Sequence, residues 1–72
     1  MRSEGTIARI PDGKHFGFIK IGKTDYFFHR DDFSGDWHSL VKAKENGNEV
    51  KVSCEIVNSP KGPRVSNVRV ES

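Results

Sequence analysis

The chain has 72 residues and a formal net charge of +2, from 12 lysines and arginines against 10 aspartates and glutamates. A chain this short buries only about 60% of its unfolded surface, so we expect one thin-cored domain, residues 1–72, with little room for a deep catalytic pocket. Its 31% charged and 33% hydrophobic content argues against disorder, and no apolar run approaches the roughly 20 residues of a membrane span. The start lacks the apolar core of a signal peptide, and Cys54 is the single cysteine, so we expect a cytoplasmic protein.

Short runs of alternating apolar and polar residues, rich in Ile, Val and Phe, recur along the chain and predict β-strands. Prolines and glycines suited to tight turns separate them, as in Pro11-Asp12-Gly13 and in the segment 60–63. The middle segment, 33–48, is too long for a tight turn, and its helix formers predict a helical turn near residues 39–44 without a strong cap. The candidate strands are 5–10, 15–21, 25–29, 49–57 and 64–71.

Five short strands around a thin core favour a small closed all-β barrel, because closure removes edges that so small an open sheet could hardly cover. Side chains alternate between the two faces of a strand, and aliphatic residues should occupy the interior. With Ile19 and Ile21 pointing inward together with Tyr26 and Phe28, an aromatic cluster must stand outside on adjacent strands. Its expected members are Phe16, Phe18, Phe27 and His29, in the company of Lys20.

An exposed aromatic cluster needs something to cover it. One interpretation is that the rings pack beneath the long middle loop as a second core. The alternative is a ligand with both flat rings and negative charge, because cations are interleaved with the aromatics. Single-stranded nucleic acid is such a ligand, and stacking a base on an aromatic ring contributes about 1 to 3 kcal/mol.

Two segments at the expected spacing resemble a known family. Lys14-His15-Phe16-Gly17-Phe18-Ile19 resembles the first ribonucleoprotein motif of the cold-shock domain, and Tyr26-Phe27-Phe28-His29 resembles the second. The resemblance extends to the first strand and to a Lys61-Gly62-Pro63 turn, so it spans nearly the whole chain. It implies a five-stranded antiparallel oligonucleotide-binding (OB-fold) barrel that binds single-stranded RNA or DNA without a cofactor, as a monomer, and that often acts as an RNA chaperone.

Carried over to this sequence, the resemblance implies that Phe16, Phe18, Phe27 and His29 stack on bases while Lys14 and Lys61 lie near phosphates. Two stacking positions of the family hold cations here, namely Arg9 in the first strand and Arg30 after the second motif. A guanidinium plane can stack on a base and also pair with phosphate, so we expect binding to be retained but to depend more steeply on salt. His15, which replaces a glycine, either crowds the first motif or adds another ring.

Several further residues have two readings. Trp37, in the middle loop, either stacks on a base or plugs one end of the barrel, and the sequence favours neither. Arg64 either contacts phosphate or is solvated, with contact slightly favoured. Phe33 and Cys54 are expected in the core. The candidate nucleic-acid-binding residues are therefore Phe16, Phe18, Phe27, His29, Lys14, Lys20, Arg9, Arg30, Trp37, Lys61 and Arg64.

An enzyme is not expected. The three histidines have no companions at metal-ligand spacing, an inward Cys54 would be a poor nucleophile, and the adjacent Asp31 and Asp32 define no substrate cleft. No metal, cofactor or membrane partner is predicted. The alternative of another class is a protein-interaction module, in which the same barrel docks a protein on a diverged nucleic-acid surface. Copurifying nucleic acid that is lost in high salt would distinguish the two.

Overall fold

The computed structural model describes residues 2–71 and has the predicted five strands. They are β1 (Ser3–Arg9), β2 (Phe16–Ile21), β3 (Thr24–His29), β4 (Lys51–Val57) and β5 (Arg64–Val70). A one-turn 3-10 helix, Arg30–Asp32, follows β3, and one α-helix, α1 (Trp37–Glu45), crosses the middle segment. The strands close into a barrel in the order β1-β2-β3-β5-β4, which confirms the predicted all-β barrel.

Four of the five strand contacts that close the barrel are antiparallel, and the contact between β3 and β5 is parallel. This closing contact is short: Phe27 lies opposite Arg64, and the Phe27 N–H donates to the Pro63 carbonyl at 3.1 Å. The barrel is therefore antiparallel at every strand contact except this seam. The seam brings the loop before β5 against the middle of β3.

Alternation along the strands builds the core as predicted. Ile19 and Phe28 are fully buried, and Ile21 and Tyr26 are partly buried against them. The other buried side chains are Ile7, Trp37, Leu40, Val52, Cys54, Val65 and Val68. Ile56 is in phase with the buried Cys54 along β4, but it is 45% exposed. It lies next to the last residue of β4, where it lines an open cleft with Tyr26 and Pro63.

The helix α1 is longer and better capped than the sequence indicated. Asp36 is its N-cap: one carboxylate oxygen accepts the His38 N–H at 3.1 Å, and the other accepts the Ser39 hydroxyl at 2.8 Å. The Ser39 hydroxyl bond is the main reason why the pKa of Asp36 lies below its ordinary value. Trp37 and Leu40 are the buried residues of this helix, so α1 covers the barrel with its first turn.

Strands β1 and β5 each contain a register shift that the sequence pattern does not predict. In β1, Ile7 lies opposite Ile19 but Arg9 lies opposite Phe18, so Ala8 is an extra residue in a β-bulge. In β5 the register shifts between its pairs with Ser53 and Glu55, and Asn67 there has a positive φ of 49°. The Arg2 guanidinium donates to the carbonyls of Ser53 and Asn67 and so ties the second bulge to β4.

Candidate functional site

Three phenylalanine rings form a triangle on the outer surface of β2 and β3. The ring centroids of Phe16, Phe18 and Phe27 are 5.6 to 6.1 Å apart, with the rings edge to face or tilted. All three side chains are half-buried. Among residues 2–71, neither the buried core nor the hydrophobic side chains packed against it include any of these rings. The expected outward set is therefore brought together, and we call Phe16, Phe18, Phe27 and His29 the aromatic face.

Gly17 allows two of these rings to stand on one short segment. A Cβ at this position would lie 2.9 Å from Cε1 of Phe28 and 3.0 Å from the Arg9 carbonyl oxygen. Such contacts are closer than van der Waals distance, so the inward side of β2 has no space for a side chain between Phe16 and Phe18. The glycine lets Phe28 fill the core directly beneath the aromatic face.

Arg9 covers part of this surface. Its Cζ lies 4.8 Å from the centroid of the Phe18 ring, which is a cation–π contact. The bulge at Ala8 is what makes the contact possible, since without the extra residue Ala8 would lie opposite Phe18 and Arg9 would lie opposite Gly17. The guanidinium therefore lies directly on the aromatic face, over the Phe18 ring.

His29 is positioned by the 3-10 helix that it caps. It pairs across the sheet with Phe16, and its side chain is 45% exposed. The imidazole Nδ1 accepts the Asp31 N–H at 3.1 Å, while the His29 N–H donates to Oδ2 of Asp32 at 3.1 Å. This reciprocal pair of hydrogen bonds is a capping box, and it fixes the ring at the edge of the aromatic face.

Arg64 is paired within the protein. Its guanidinium Nη2 donates to the same Oδ2 of Asp32 at 3.0 Å, and the side chains of Arg64 and Asp32 are 40% and 20% exposed. The slightly favoured phosphate contact would require Arg64 to share this guanidinium with Asp32. Arg64 and Asp32 are 32 residues apart in the chain. No local pattern could identify that pairing.

The remaining cations flank the aromatic face. Lys20 is exposed on β2, and Lys61 lines a cleft with Phe27 and Pro63 at the β3–β5 seam. At the opposite end Lys14, His15, Arg30 and His38 line a polar cleft, where the Arg30 N–H donates to the His15 carbonyl at 2.8 Å. His15 is exposed and does not crowd the first motif. The cleft at the seam is therefore basic, whereas in the opposite cleft Lys14 and Arg30 share the lining with Asp31 and Asp36.

Trp37 is not part of the aromatic face. It is 9% exposed and contacts Phe28 and Phe33 edge to face, with ring centroids 5.7 and 6.1 Å away. Of the two readings that the sequence left open, the structure supports the one in which Trp37 plugs an end of the barrel. The first turn of α1 carries the ring inward, because Asp36 starts the helix directly before it. Phe33 packs against the core as expected.

Within the described residues, the cysteine is enclosed in the core and the potential metal ligands are dispersed. Cys54 is fully buried, and this burial raises the pKa of its thiol, with a smaller opposing influence from Arg2. Across residues 2–71, no cluster of three or more His, Cys, Asp or Glu side chains could hold a metal ion. Nor does the part of the chain that the structure describes contain a helix long and apolar enough to cross a membrane.

The chain is similar in sequence to a known bacterial protein. The chain is 40% identical over 65 residues to Cold shock protein CspD of Bacillus subtilis, an alignment that covers 89% of this chain and 91% of the relative. No family model matches the chain. The alignment therefore includes most of the barrel and most of the relative's length.

Proposed function

This chain belongs to the cold shock protein family, a family of non-enzymes, and we propose that it binds single-stranded RNA or DNA on the aromatic face. The observation that carries the proposal is the triangle of Phe16, Phe18 and Phe27, three rings within 6.1 Å of one another that lie outside the core. Flat rings on an outer surface offer a stacking platform to unpaired bases. The whole chain, residues 1–72, would act as a single binding domain.

The proposed binding energy has two sources. Stacking contributes about 1 to 3 kcal/mol for each base, so three bases on the triangle would contribute several kcal/mol. Cations at the rim would hold the phosphates: Lys14 and Arg30 at one end, Lys61 at the other, with Arg9 and Lys20 beside Phe18. Because stacking accepts every base, we expect only modest sequence preference.

The cellular role follows from the same binding. A protein that binds only the open strand shifts the equilibrium of an RNA hairpin toward opening, without ATP. We therefore propose an RNA chaperone, or a regulator of transcription or translation, that acts as a monomer in the cytoplasm. The unpaired Cys54 is consistent with a reducing compartment.

Fluorescence anisotropy with labelled single-stranded RNA and DNA heptamers tests the proposal. Phe16→Ala and Phe27→Ala should each weaken binding by about 1 to 3 kcal/mol, provided that circular dichroism shows the same fold as the wild type. Val70→Ala is the matched control, since Val70 is 51% exposed on β5 and lies outside the aromatic triangle. Its affinity should equal that of the wild type.

Two outcomes would contradict the proposal. Wild-type protein that binds neither heptamer beyond a weak salt-sensitive background would exclude a single-strand site. Equal losses for Val70→Ala and the phenylalanine variants would exclude stacking on this face. In the first case, protein that purifies free of nucleic acid at low salt would direct attention to a protein partner for the same face.

A further inference from the structure

We propose that Asp32 is a positioning residue that holds His29 in its Nε2–H form, so that His29 donates a hydrogen bond to an acceptor atom of the bound strand. The inference rests on the proposed function and adds a polar contact to its stacking face. It assigns Asp32 to the binding site although Asp32 itself carries the same sign of charge as the ligand.

The hydrogen bonds of the capping box determine the tautomer. The Asp31 N–H points at Nδ1 of His29 with a nitrogen–nitrogen distance of 3.1 Å. A backbone N–H can only donate, so Nδ1 must carry a lone pair and no hydrogen. A neutral imidazole has a single N–H, which therefore lies on Nε2. Within residues 2–71, that Nε2–H has no hydrogen-bond partner in the protein.

Asp32 keeps the 3-10 helix in the position that this bond requires. Its Oδ2 accepts the His29 N–H at 3.1 Å and the Arg64 guanidinium at 3.0 Å, so one oxygen joins the end of β3 to the start of β5. The Asp32 side chain is only 20% exposed, which limits competition from water. Without this anchor, the short helix and its backbone N–H groups would lose their fixed relation to the imidazole.

The other charged groups near His29 do not replace this anchor. The Asp31 carboxylate lies 3.5 Å from Nδ1, where it would pair with a doubly protonated imidazole. That pairing would end the acceptor role of Nδ1, since both ring nitrogens would then donate. The Asp31 carboxylate is 89% exposed, and Arg30 is exposed, so solvent screens both. The neutral, capped state is the one with a single defined donor.

The Nε2 edge is available to a ligand because the Nδ1 edge is turned toward the helix. His29 pairs with Phe16, so a base stacked on the triangle brings its own edge or its phosphate within reach of the neighbouring imidazole. Candidate acceptors are the carbonyl oxygens and ring nitrogens of bases and the oxygens of phosphate. In each case one acceptor atom of the strand would face the Nε2–H donor of His29.

The tautomer is tested on the free protein by the nitrogen-15 shifts of His29 in mildly alkaline buffer. The wild type should give an unprotonated Nδ1 and a protonated Nε2. Asp32→Ala should give a mixture of the two tautomers, whereas Asp32→Asn keeps an oxygen acceptor for the His29 N–H and should retain the wild-type pattern. Asp31→Ala, the matched control, removes an adjacent carboxylate but keeps the capping N–H, and it should also retain that pattern.

Oligonucleotide affinities distinguish a positioning role of Asp32 from a simple effect of its negative charge. Removing either carboxylate should favour a polyanion if charge alone mattered, so Asp31→Ala should bind as well as the wild type or better. Asp32→Ala should instead bind about two- to tenfold more weakly, the loss expected for one hydrogen bond. In a His29→Phe background, which keeps a ring but has no donor, Asp32→Ala should cause no further loss.

The source of the acceptor is identified with modified oligonucleotides. If a phosphate is contacted, a methylphosphonate at one position should abolish the difference between wild type and Asp32→Ala. If a base is contacted, removal of one base should do so, and methylphosphonates should leave the difference intact. Circular dichroism on every variant confirms that folded proteins are compared.

Three results would overturn the inference alone: a wild-type tautomer protonated at Nδ1, equal or tighter binding by folded Asp32→Ala, or an undiminished Asp32→Ala loss in the His29→Phe background. Wild-type protein that binds no oligonucleotide would overturn the proposed function and this donor role together. The nitrogen-15 shifts would still report on the cap, so the two failures are distinguishable.

Discussion

The guanidinium of Arg9 lies over the ring of Phe18, with Cζ 4.8 Å from the ring centroid. A base approaching Phe18 from this side meets a planar cation first. It can stack on the guanidinium or displace it, and in both cases the charge remains beside the strand and its phosphates. The contact itself contributes about 0.5 to 1 kcal/mol at an exposed site.

Replacing Arg9 by glutamine should reduce the salt dependence of binding. Each phosphate neutralised on a single strand contributes about 0.7 to the slope of log K against log salt, so Arg9→Gln should lower the slope by roughly that amount. Anisotropy titrations over a series of salt concentrations measure it. Arg69→Gln is the control, because it removes the same charge at a different place. Arg69 lines a cleft with Leu40 and Val70 that includes no residue of the aromatic face. An equal change in both variants would show that only net charge matters.

The fluorescence of Trp37, the single tryptophan, should be nearly unaffected by oligonucleotides. The ring is 9% exposed and packs on Phe28 and Phe33, which leaves little of its surface for a base to contact. The double variant Trp37→Phe and Phe18→Trp serves as the comparison. Its tryptophan lies on the aromatic face, so oligonucleotides should strongly quench its fluorescence. Quenching of the wild type to the same degree would mean that Trp37 leaves the core on binding.

The same burial predicts a structural role for this tryptophan. Trp37→Ala should lower the free energy of unfolding by about 3 to 5 kcal/mol, the usual cost of removing a large buried ring. Urea denaturation followed by circular dichroism measures the loss, and Trp37→Phe should be milder. A loss below about 1 kcal/mol would mean that the barrel end closes without the ring.

The strands of the barrel and the direction of their side chains were predictable, because the alternation of apolar and polar residues is a local sequence pattern. Alternation in β2 and β3 assigns Ile19 and Phe28 to the interior and Phe16 and Phe18 to the surface, and the structure agrees. The bulge at Ala8 was not predictable, since no glycine marks it and its effect is to place Arg9 opposite Phe18. The sequence therefore indicated that Arg9 belongs to the site but not that it covers a ring.

Long-range pairing limited the rest of the prediction. The bond from Arg64 to Asp32 joins residues 32 apart, and only barrel closure between β3 and β5 brings them together. Trp37 remained ambiguous because an aromatic residue in a loop is equally compatible with stacking and with packing. The structure distinguishes these uses through Asp36, whose capping bonds begin the helix and direct the ring inward.

Gly17→Ala should destabilise the barrel beneath the aromatic face. The added methyl would meet Phe28 at 2.9 Å and the Arg9 carbonyl oxygen at 3.0 Å, and such overpacking costs about 1 to 3 kcal/mol. Thermal denaturation should show a fall in Tm of at least about 4 °C. Adding Phe28→Leu should recover part of the loss if the ring is the obstacle. Strictly additive losses would assign the strain to the other two close contacts, the Arg9 carbonyl oxygen and Cγ1 of Ile10, each at 3.0 Å.

Acidification should weaken the N-cap of α1 in the wild type but not in the Asp36→Asn variant. The Ser39 hydroxyl and the His38 N–H hold the pKa of Asp36 below its ordinary value, so the ionised form is favoured in the folded state. The resulting stabilisation is present above the ordinary pKa of an aspartate and is lost as the pH falls through the lowered one. Asparagine also caps helices but does not titrate.

The Tm of both proteins should therefore be compared from about pH 6 to about pH 2, a range that spans aspartate ionisation. We expect the wild type to lose more stability than Asp36→Asn, with the two curves converging or crossing at the acidic end. Ser39→Ala should reduce the difference, because it removes the main hydrogen bond to the carboxylate. Parallel curves for the wild type and Asp36→Asn would show that the cap does not depend on the charge.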